Sequence, residues 1–385
     1  MKFNQIPTPA YICEESKLNN NLKILNEISI KSGAKVLCAL KGFAFSPAML
    51  NCANALAGAT CSGLNEAKYA RSFGFKSVHT YSPAFKDSQI DEIIALSDHI
   101  VFNSLNQLRA FGKKAKNAGV SIGLRLNPQS SASPCDAYNP CARYSRLGVS
   151  AKMLQNATND DLDLLDGLHF HALCEQNSKA LELVLNAFKV NFSALIERKN
   201  IKWLNFGGGH HISKQGYDKE LLISLINEYS SDFSVYLEPG EAVGWQCGYL
   251  LASVLDVVDN EIPTYIIDAS AQCHMPDTAL MPYRPALRGE ILNKNEQKNA
   301  HKCRFGGATC LAGDVVGLEA GEPDFYIKEP LKIGDKVIFE DQIHYSVVKN
   351  TTFNGVCLPA LVWCKDNGEY ELKRIFDYED FARRN

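Results

Sequence analysis

One pattern recurs eight times between residues 36 and 240, and it constrains the fold more than any other feature of the chain. Each repeat is a short apolar or β-branched run that ends in small or polar residues, followed by a segment with helical spacing of its apolar residues. The runs are VLCALK, GATCSG, SVHTYS, HIVFN, SIGLRLN, GLHFHAL, WLNFGGG and SVYLEPG. Eight β/α units close a TIM-type barrel of ~250 residues, so the sequence predicts an α/β fold with a (β/α)8 barrel.

The helical segments between these runs support the same architecture. Stretches such as LNEAKYARSFG, LNQLRAFGKKAKNAG and SKALELVLNAFKVNFSALIERKN end near Gly or Asn, as helices tend to. An open, doubly wound sheet is the rival arrangement of alternating strands and helices. That fold is expected to carry a GxGxxG turn after an early strand, and this chain has none there.

The character of the chain changes after about residue 244. Segments such as YLLASVLDVVD, TYIIDAS, DKVIFED and FNGVCLPALVWC are short and apolar or alternating, and turn residues separate them. We therefore predict a barrel domain over residues 14–243 and a mostly β domain, sandwich-like or barrel-like, over residues 244–385. Residues 1–13 have an extended, Pro-interrupted character and are expected to join the β domain.

Composition excludes several classes of function. The 385 residues carry a formal net charge of −3, with no basic face for nucleic acid or anionic lipid. The N-terminal stretch lacks the apolar core of a secretion signal, and no later run approaches a membrane span. The 13 cysteines form no CxxC pair and stand mostly in apolar contexts, as buried thiols in a reducing compartment do. We therefore expect a cytoplasmic protein with neither a nucleic-acid nor a membrane partner.

The residues that end the strands of such a barrel surround its active site. Lys41 ends the first run, His171 lies at the end of the sixth, residues 207–209 end the seventh, and Glu238 lies at the end of the eighth. A lysine that leaves an apolar wall at the barrel mouth can form a Schiff base with an aldehyde cofactor. Glycine-rich turns after the last two strands are where barrels bind phosphate through backbone N–H groups. Together these residues suggest pyridoxal phosphate.

Each feature also has a plainer interpretation. A lysine that closes a strand is more often a surface residue whose ammonium group stays in water. The triple glycine could be only a tight turn, since NFGGGHH matches no P-loop. His210 and His211 are neighbours in sequence, which is poor geometry for chelating one ion, so we predict no metal site. Position in the barrel favours the functional interpretation of Lys41 and the glycines.

Several motifs, each weak alone, together resemble a known family. They are ALKG around Lys41, HFHAL around His171, FGGG at 206–209, LEPGEA at 237–242, GATC at 307–310 and HYSVVKNTTFNG at 344–355. On these motifs the chain resembles, over nearly its whole length, the barrel-type (fold type III) pyridoxal-phosphate decarboxylases. That family includes ornithine, arginine and diaminopimelate decarboxylases. IDASAQCHMPD at 267–277 and the ending IFDYEDFARRN resemble a branch whose substrates are carboxylated polyamines.

The resemblance implies a role for each matching position. Lys41 would bind the cofactor covalently, His171 would stack on its pyridine ring, and Glu238 would pair with the ring nitrogen and keep it protonated. The phosphate-binding residues would be Gly207, Gly208, Gly209 and Tyr345. Cys310 would approach from a second subunit to protonate the product, so the active sites would form at a homodimer interface.

Two departures from the family pattern concern the ligands. Where many relatives have Glu-Pro-Gly-Arg, with the arginine beside the phosphate, this chain has Glu241, which removes a phosphate contact and adds a negative charge. After the sixth run, Cys174 stands at the position of a serine that contacts the phosphate in relatives. Neither change affects the lysine, the partner of the pyridine nitrogen or the expected proton donor.

The expected reaction is α-decarboxylation of carboxynorspermidine or carboxyspermidine, which the sequence does not distinguish because they differ by one methylene. A substrate with several ammonium groups requires carboxylates in its pocket. The candidates are Glu238, Glu241, Asp277 and Asp314. A diaminopimelate decarboxylase must instead bind a second carboxylate, which calls for arginine, so Glu241 disfavours that substrate. Arg284 and Arg288 keep the diaminopimelate alternative open.

Plainer interpretations and rival functions remain at this stage. Cys310 could be one more buried thiol, Tyr345 a strand aromatic, and the two aspartates solvated turn residues. An alanine racemase shares the barrel and the lysine but needs a tyrosine as its second base. A small pyridoxal-phosphate carrier protein would lack the β domain. A decayed decarboxylase that acts as a regulatory binding protein would be expected to have lost Lys41 or Cys310, and both are present.

Overall fold

The computed structural model describes residues 1–133 and 135–384. These residues form two compact units. The barrel unit consists of Asn20–Gly42 and Met49–Val243, and the sheet unit consists of Met1–Asn19, Phe43–Ala48 and the described chain from Gly244 onwards. Among the described residues, no helix is both long and apolar enough to cross a membrane.

The strands are numbered along the chain. They are β1 (Ala10–Glu14), β2 (Lys35–Ala39), β3 (Gly58–Cys61), β4 (Val78–Tyr81), β5 (His99–Phe102), β6 (Ser121–Arg125), β7 (Gly167–His169), β8 (Trp203–Asn205), β9 (Ser234–Leu237), β10 (Gly248–Asn260), β11 (Ile262–Ile267), β12 (His301–Gly306), β13 (Phe325–Ile327), β14 (Lys336–Glu340), β15 (Ala360–Cys364) and β16 (Tyr370–Arg374).

The α-helices follow the same numbering. They are α1 (Glu15–Ser32), α2 (Met49–Ala55), α3 (Leu64–Ser72), α4 (Asp87–Leu96), α5 (Leu105–Asn117), α6 (Ala151–Leu154), α7 (Asn159–Asp163), α8 (Ser178–Ile196), α9 (Lys219–Ser230), α10 (Glu241–Gly244), α11 (Ala271–His274), α12 (Asp277–Leu280), α13 (Tyr345–Lys349) and α14 (Tyr378–Arg384).

Strands β2 to β9 form a closed parallel barrel in chain order, and β9 pairs with β2 to complete it. Seven of the eight strands lie within the runs identified in the sequence, and β2 begins one residue before its run, at Lys35, so the predicted (β/α)8 barrel is confirmed. The predicted helices are present as well. For example, α5 begins after Ser104, whose side chain accepts a hydrogen bond from the N–H of Gln107, and the chain turns at Gly119 with φ +79°.

Large side chains fill the barrel interior, and small residues on neighbouring strands leave the space for them. Trp203 packs with Leu37, Val101 and Tyr236 in one buried cluster. A Cβ atom added at Gly167 would lie 1.9 Å from Cδ2 of the Trp203 indole. Glycine in β7 therefore provides the space that the indole of β8 occupies.

The sheet unit is built on the strand order β13-β12-β11-β10-β1-β15-β16, with β14 also pairing with β10. The N-terminal strand β1 lies inside this sheet, antiparallel to β10 and parallel to β15. A mostly β second domain is confirmed. The segment FNGVCLPALVWC is only partly a strand, since residues 353–355 form a 3-10 turn and β15 begins at Ala360.

Candidate active site

Lys41 follows β2 in a tight turn at the C-terminal end of the barrel. The N–H of Gly42 donates to the carbonyl of Ala39 at 2.9 Å, and a Cβ atom on Gly42 would lie 2.9 Å from Cα of Gly240. Lys41 as a residue keeps part of its surface exposed to solvent, while protein groups crowd around its amine. Desolvation of the amine lowers its pKa, and the nearby Arg125 lowers it further. A lowered pKa increases the fraction of neutral amine, which is the nucleophilic form.

Glu238 is a buried carboxylate directly after β9, with 8% of its surface exposed. Nδ2 of Asn205 donates to its Oε1 at 2.7 Å, and Nε2 of His169 lies 3.4 Å from its Oε2. Burial alone would raise the pKa of Glu238, but the contacts with His169 and Asn205 outweigh burial and lower it to about 2. The side chain is therefore ionised at neutral pH, as a partner for a protonated pyridine nitrogen must be.

His171 follows β7 and presents a neutral ring. The N–H of Gly208 donates to its Nδ1 at 3.0 Å, so the neutral ring carries its proton on Nε2. Burial lowers the pKa of His171 well below its ordinary value, and the positive charge of Lys41 lowers it further. A neutral imidazole beside the glycine turn can lie against an aromatic ring without a charge penalty.

The glycine turn after β8 admits no side chain. Gly207 and Gly209 have φ values of +70° and +82°. A Cβ atom at Gly207 would lie 2.4 Å from the carbonyl oxygen of Phe170, and one at Gly209 would lie 2.2 Å from that of Leu173. The N–H of Gly207 donates to Oδ1 of Asn205 at 2.9 Å, and that of Gly208 is used by His171. A turn without side chains lets a phosphate come close to the backbone N–H groups. The third N–H group of the turn is that of Gly209.

Two strand-end residues that the sequence analysis did not single out lie beside this group. Arg125, at the end of β6, is 5% exposed, and its Nη2 donates to the carbonyl oxygen of His171 at 3.1 Å. Its guanidinium lies 4.7 Å from the ring centroid of Tyr81, at the end of β4. Both residues end strands of the barrel and lie near the ends of the predicted runs, so the rule that identified Lys41 could also have identified them.

Glu241 lies in a cluster with His211, for which the sequence predicts no role. Its Oε2 lies 3.1 Å from Nε2 of the buried His211. Glu175, His211 and Glu241 each contribute one side-chain atom to a group whose members lie within 4.8 Å of one another. Backbone bonds between Gln176 and both Gly209 and His211 connect the loops after β7 and β8. Two carboxylates beside one imidazole favour a cationic neighbour.

In the sheet unit, Asp314 is 3% exposed and supports a turn. Its Oδ1 accepts from Oγ of Ser270 at 3.0 Å and from the N–H of Ala271 at 2.8 Å, while its Oδ2 accepts from Oγ1 of Thr309 at 2.6 Å. Asp277 is also buried and forms an ion pair with Lys349. Neither aspartate is a solvated turn residue, and both have protein partners.

Tyr345 and Cys310 also lie in the sheet unit. Tyr345 is half-buried at the start of α13, with the ammonium group of Lys349 4.7 Å from its ring centroid. Cys310 is exposed, and its N–H donates to Oδ1 of Asn354 at 2.9 Å. Exposure makes this thiol accessible, unlike the fully buried thiols of the chain such as Cys38.

Arg284 and Arg288 already have carboxylate partners within the sheet unit. Arg284 pairs with Glu290, and its guanidinium lies 3.8 Å from the ring centroid of Phe325. Arg288 donates to Glu340 through Nε at 2.6 Å and through Nη2 at 3.1 Å. The guanidinium groups of both arginines are therefore engaged by carboxylates of the same unit.

The barrel residues fit pyridoxal phosphate on four counts. They provide an amine with a lowered pKa at Lys41, a buried ionised carboxylate at Glu238, a neutral ring at His171, and a turn that a Cβ atom would block. An aldehyde, a pyridine nitrogen, an aromatic face and a phosphate are the features of the cofactor that such groups recognise.

Comparison with known proteins agrees with this chemistry. The family model described as pyridoxal-dependent decarboxylase, C-terminal sheet domain, matches residues 11–342. A carboxynorspermidine/carboxyspermidine decarboxylase of Campylobacter jejuni subsp. jejuni is 50% identical over 395 aligned residues, which cover 100% of both chains. A carboxyaminopropylagmatine decarboxylase of Synechocystis sp. is 40% identical over 100% of this chain and 96% of that one. The crystal structure of carboxynorspermidine decarboxylase from Campylobacter jejuni complexed with norspermidine has a TM-score of 0.89 and 48% identity, covering 99% of this chain and 100% of that one.

Proposed function

The chain belongs to the pyridoxal-dependent decarboxylases and uses pyridoxal phosphate, and from this premise we propose that it decarboxylates carboxynorspermidine and carboxyspermidine in polyamine biosynthesis. The choice of substrate is supported by 50% identity over the full length to a relative whose name includes both substrates. Within the barrel, the single observation that carries the proposal is the buried carboxylate of Glu238, contacted by Asn205 and His169. A carboxylate at the pyridine nitrogen suits a reaction that leaves an electron pair on the α-carbon.

The residues of the barrel divide the work between binding and charge. When bound, pyridoxal phosphate withdraws into its ring the electron pair that the departing carboxylate leaves behind. Lys41 would hold the cofactor at its aldehyde carbon. Glu238 would place a negative charge against the ring nitrogen and so keep a proton on it. His171 would support the ring and help to orient the α-carboxylate of the substrate.

The charge distribution favours a polyamine over a dicarboxylate substrate. Glu241 and Glu175 place two carboxylates beside the glycine turn, with His211 as the adjacent imidazole. We assign Glu241 to the distal ammonium groups of the substrate, since opposite charges at close range select their partner. Glu238 is proposed to serve the cofactor, and Asp277 and Asp314 have partners within the sheet unit, so Glu241 is the carboxylate that we place first in the substrate set. Arg284 and Arg288 are paired, which disfavours diaminopimelate.

Cys310 is proposed to protonate the product from a second copy of the chain. Its exposure in the loop after β12 supports this role, because a thiol that acts across a subunit interface must be accessible. The proposal requires a homodimer with active sites shared between subunits. Measurement of the molecular mass in solution tests whether the protein is a dimer.

The experiment that tests the substrate is a comparison of kcat/KM for carbon dioxide release with pyridoxal phosphate. Carboxynorspermidine, carboxyspermidine, carboxyaminopropylagmatine and meso-diaminopimelate are supplied separately, with Lys41→Ala as the blank. We expect kcat/KM for the two carboxylated polyamines to exceed kcat/KM for diaminopimelate by at least about 100-fold, since one misplaced like charge costs several kcal/mol. Preferential turnover of diaminopimelate would refute the assignment of Glu241 and of both arginines.

A further inference from the structure

One side chain connects the two ends of the cofactor site. Asn205, the last residue of β8, is 1% exposed and has both ends of its amide engaged. Its Nδ2 donates to Oε1 of Glu238 at 2.7 Å, and its Oδ1 accepts from the N–H of Gly207 at 2.9 Å. These partners fix the orientation of the amide, because a carboxylate only accepts and a backbone N–H only donates.

The backbone closes the same connection from the other side. The N–H of Glu238 donates to the carbonyl oxygen of Gly207 at 2.8 Å. A Cβ atom on Gly208 would lie 2.3 Å from the carbonyl oxygen of Glu238. The glycine turn and the backbone of Glu238 are therefore in direct contact, and Asn205 connects the carboxylate of Glu238 to the N–H of Gly207.

The second oxygen of Glu238 faces a different nitrogen. Nε2 of His169 lies 3.4 Å from Oε2, and His169 is 1% exposed. A buried ionised carboxylate is costly unless its oxygens have donors or positive charge close by. Of the two contacts, that of Asn205 is the shorter, and it also reaches the turn where the phosphate is proposed to bind.

We propose that Asn205 is a positioning residue, which orients the carboxylate of Glu238 toward the pyridine nitrogen and fixes its position relative to the phosphate turn. The inference rests on the proposed function, because it assigns the two ends of the site to two ends of pyridoxal phosphate.

Two substitutions separate the two halves of the role. Asn205→Ala removes both hydrogen bonds. Asn205→Asp keeps an oxygen to accept from Gly207 but replaces the donor to Glu238 by a second carboxylate. Asn205→Asp has nearly the same volume as the native residue, so it tests the proposal even if Asn205→Ala fails to fold. Asn127→Ala is the matched control, because Asn127 is also a buried asparagine after a barrel strand, and its amide bonds the backbone of Gln129 and Leu147.

The measurement is the dissociation constant of the apoprotein for pyridoxal phosphate and for its 1-deaza analogue, in which a C–H group replaces the ring nitrogen. Wild type should favour pyridoxal phosphate, because only its nitrogen can pair with the ionised Glu238. In Asn205→Asp and Asn205→Ala we expect this preference to fall at least about tenfold, since hydrogen bonds to charged groups are among the strongest in proteins. Asn127→Ala should keep the wild-type preference.

Failure of the inference is distinguishable from failure of the proposed function. If wild type does not bind pyridoxal phosphate, the function and the inference both fail. If wild type binds it and the Asn205 variants keep the wild-type preference, Asn205 has only a structural role and the inference is overturned, while the function stands. A fall in preference with Asn127→Ala equal to that of Asn205→Asp would also overturn it.

Discussion

The backbone N–H of Gly208 donates to Nδ1 of His171 at 3.0 Å, so a glycine of the turn fixes the tautomer of the ring proposed to support the cofactor. This bond connects the loop after β7 with the loop after β8. It also leaves no room at position 208, where a Cβ atom would lie 2.3 Å from the carbonyl oxygen of Glu238 and 3.1 Å from Cε1 of His171.

Gly208→Ala should therefore displace both neighbours. We expect a loss of about 2 kcal/mol or more in the free energy of unfolding, as overpacking against backbone costs, together with weaker binding of pyridoxal phosphate. Denaturant unfolding and cofactor titration measure the two effects. Gly313→Ala is the control, because nothing lies within 4 Å of a Cβ atom there. Equal stability of both variants would contradict the steric argument.

Lys41 should react as an amine at lower pH than an ordinary lysine. Burial lowers its pKa first and Arg125 lowers it further, so Arg125→Gln should move the pKa upward. The rate of acylation of Lys41 in the apoprotein, followed by peptide mass spectrometry across pH, measures the midpoint. The exposed Lys113 serves as internal reference. A profile for Lys41 that is the same in wild type and Arg125→Gln would contradict the assignment of this charge.

Glu238 should make the stability of the apoprotein depend on pH. Its pKa falls from 4.5 in the unfolded reference to about 2 in the folded chain, so its contribution is present above pH 4.5 and is lost as the pH falls through about 2. The difference corresponds to roughly 3 kcal/mol. We expect the gap in unfolding free energy between wild type and Glu238→Gln to shrink on acidification. A gap that is the same at pH 6 and pH 3 would mean that Glu238 is protonated in the fold. The exposed Glu182, changed to Gln, should show no gap.

Glu241→Gln should weaken substrate binding more than it slows the chemical step. Removing one carboxylate from the cluster with Glu175 and His211 reduces attraction for a polycation, so KM for carboxynorspermidine should rise about tenfold with a smaller change in kcat. Steady-state kinetics at two salt concentrations measure the effect, with Glu182→Gln as the surface control. An unchanged KM would remove Glu241 from the substrate site.

Mixing two inactive variants tests the shared active site. Lys41→Ala lacks the cofactor lysine and Cys310→Ala lacks the proposed proton donor. In mixed dimers, one of the two sites regains both residues, so equal mixing should restore about a quarter of wild-type product formation. If no activity returns after subunit exchange has been verified, Cys310 does not act across an interface.

The sequence predicted the barrel because each strand there is a short apolar run with a helix after it, and this alternation is local. Lys41, His171 and Glu238 were predicted for the same reason, since each ends a run. The bond between Asn205 and Glu238 was not predicted, because it joins residues 33 positions apart whose side chains meet only when β8 and β9 pair. The pairing of His211 with Glu241 was not predicted, because the sequence analysis considered only that His211 is adjacent to His210, and the contact joins residues 30 positions apart.

Asp314 illustrates the opposite case. The sequence names it as a candidate carboxylate for the ammonium groups of the substrate, and in the structure its oxygens accept hydrogen bonds from Ser270 and Thr309. An aspartate in a loop has the same local pattern whether it binds a ligand or supports the backbone, so these tertiary partners could not be predicted from the sequence.

The most direct test of the central claim is product analysis by mass spectrometry from one mixture. Purified protein with pyridoxal phosphate is given equal concentrations of carboxynorspermidine and meso-diaminopimelate, with Lys41→Ala treated in parallel. Norspermidine formed in large excess over lysine, and no product from the variant, is the result expected from Glu241, the paired arginines and Lys41. Lysine as the main product, or norspermidine formed equally by Lys41→Ala, would contradict the account.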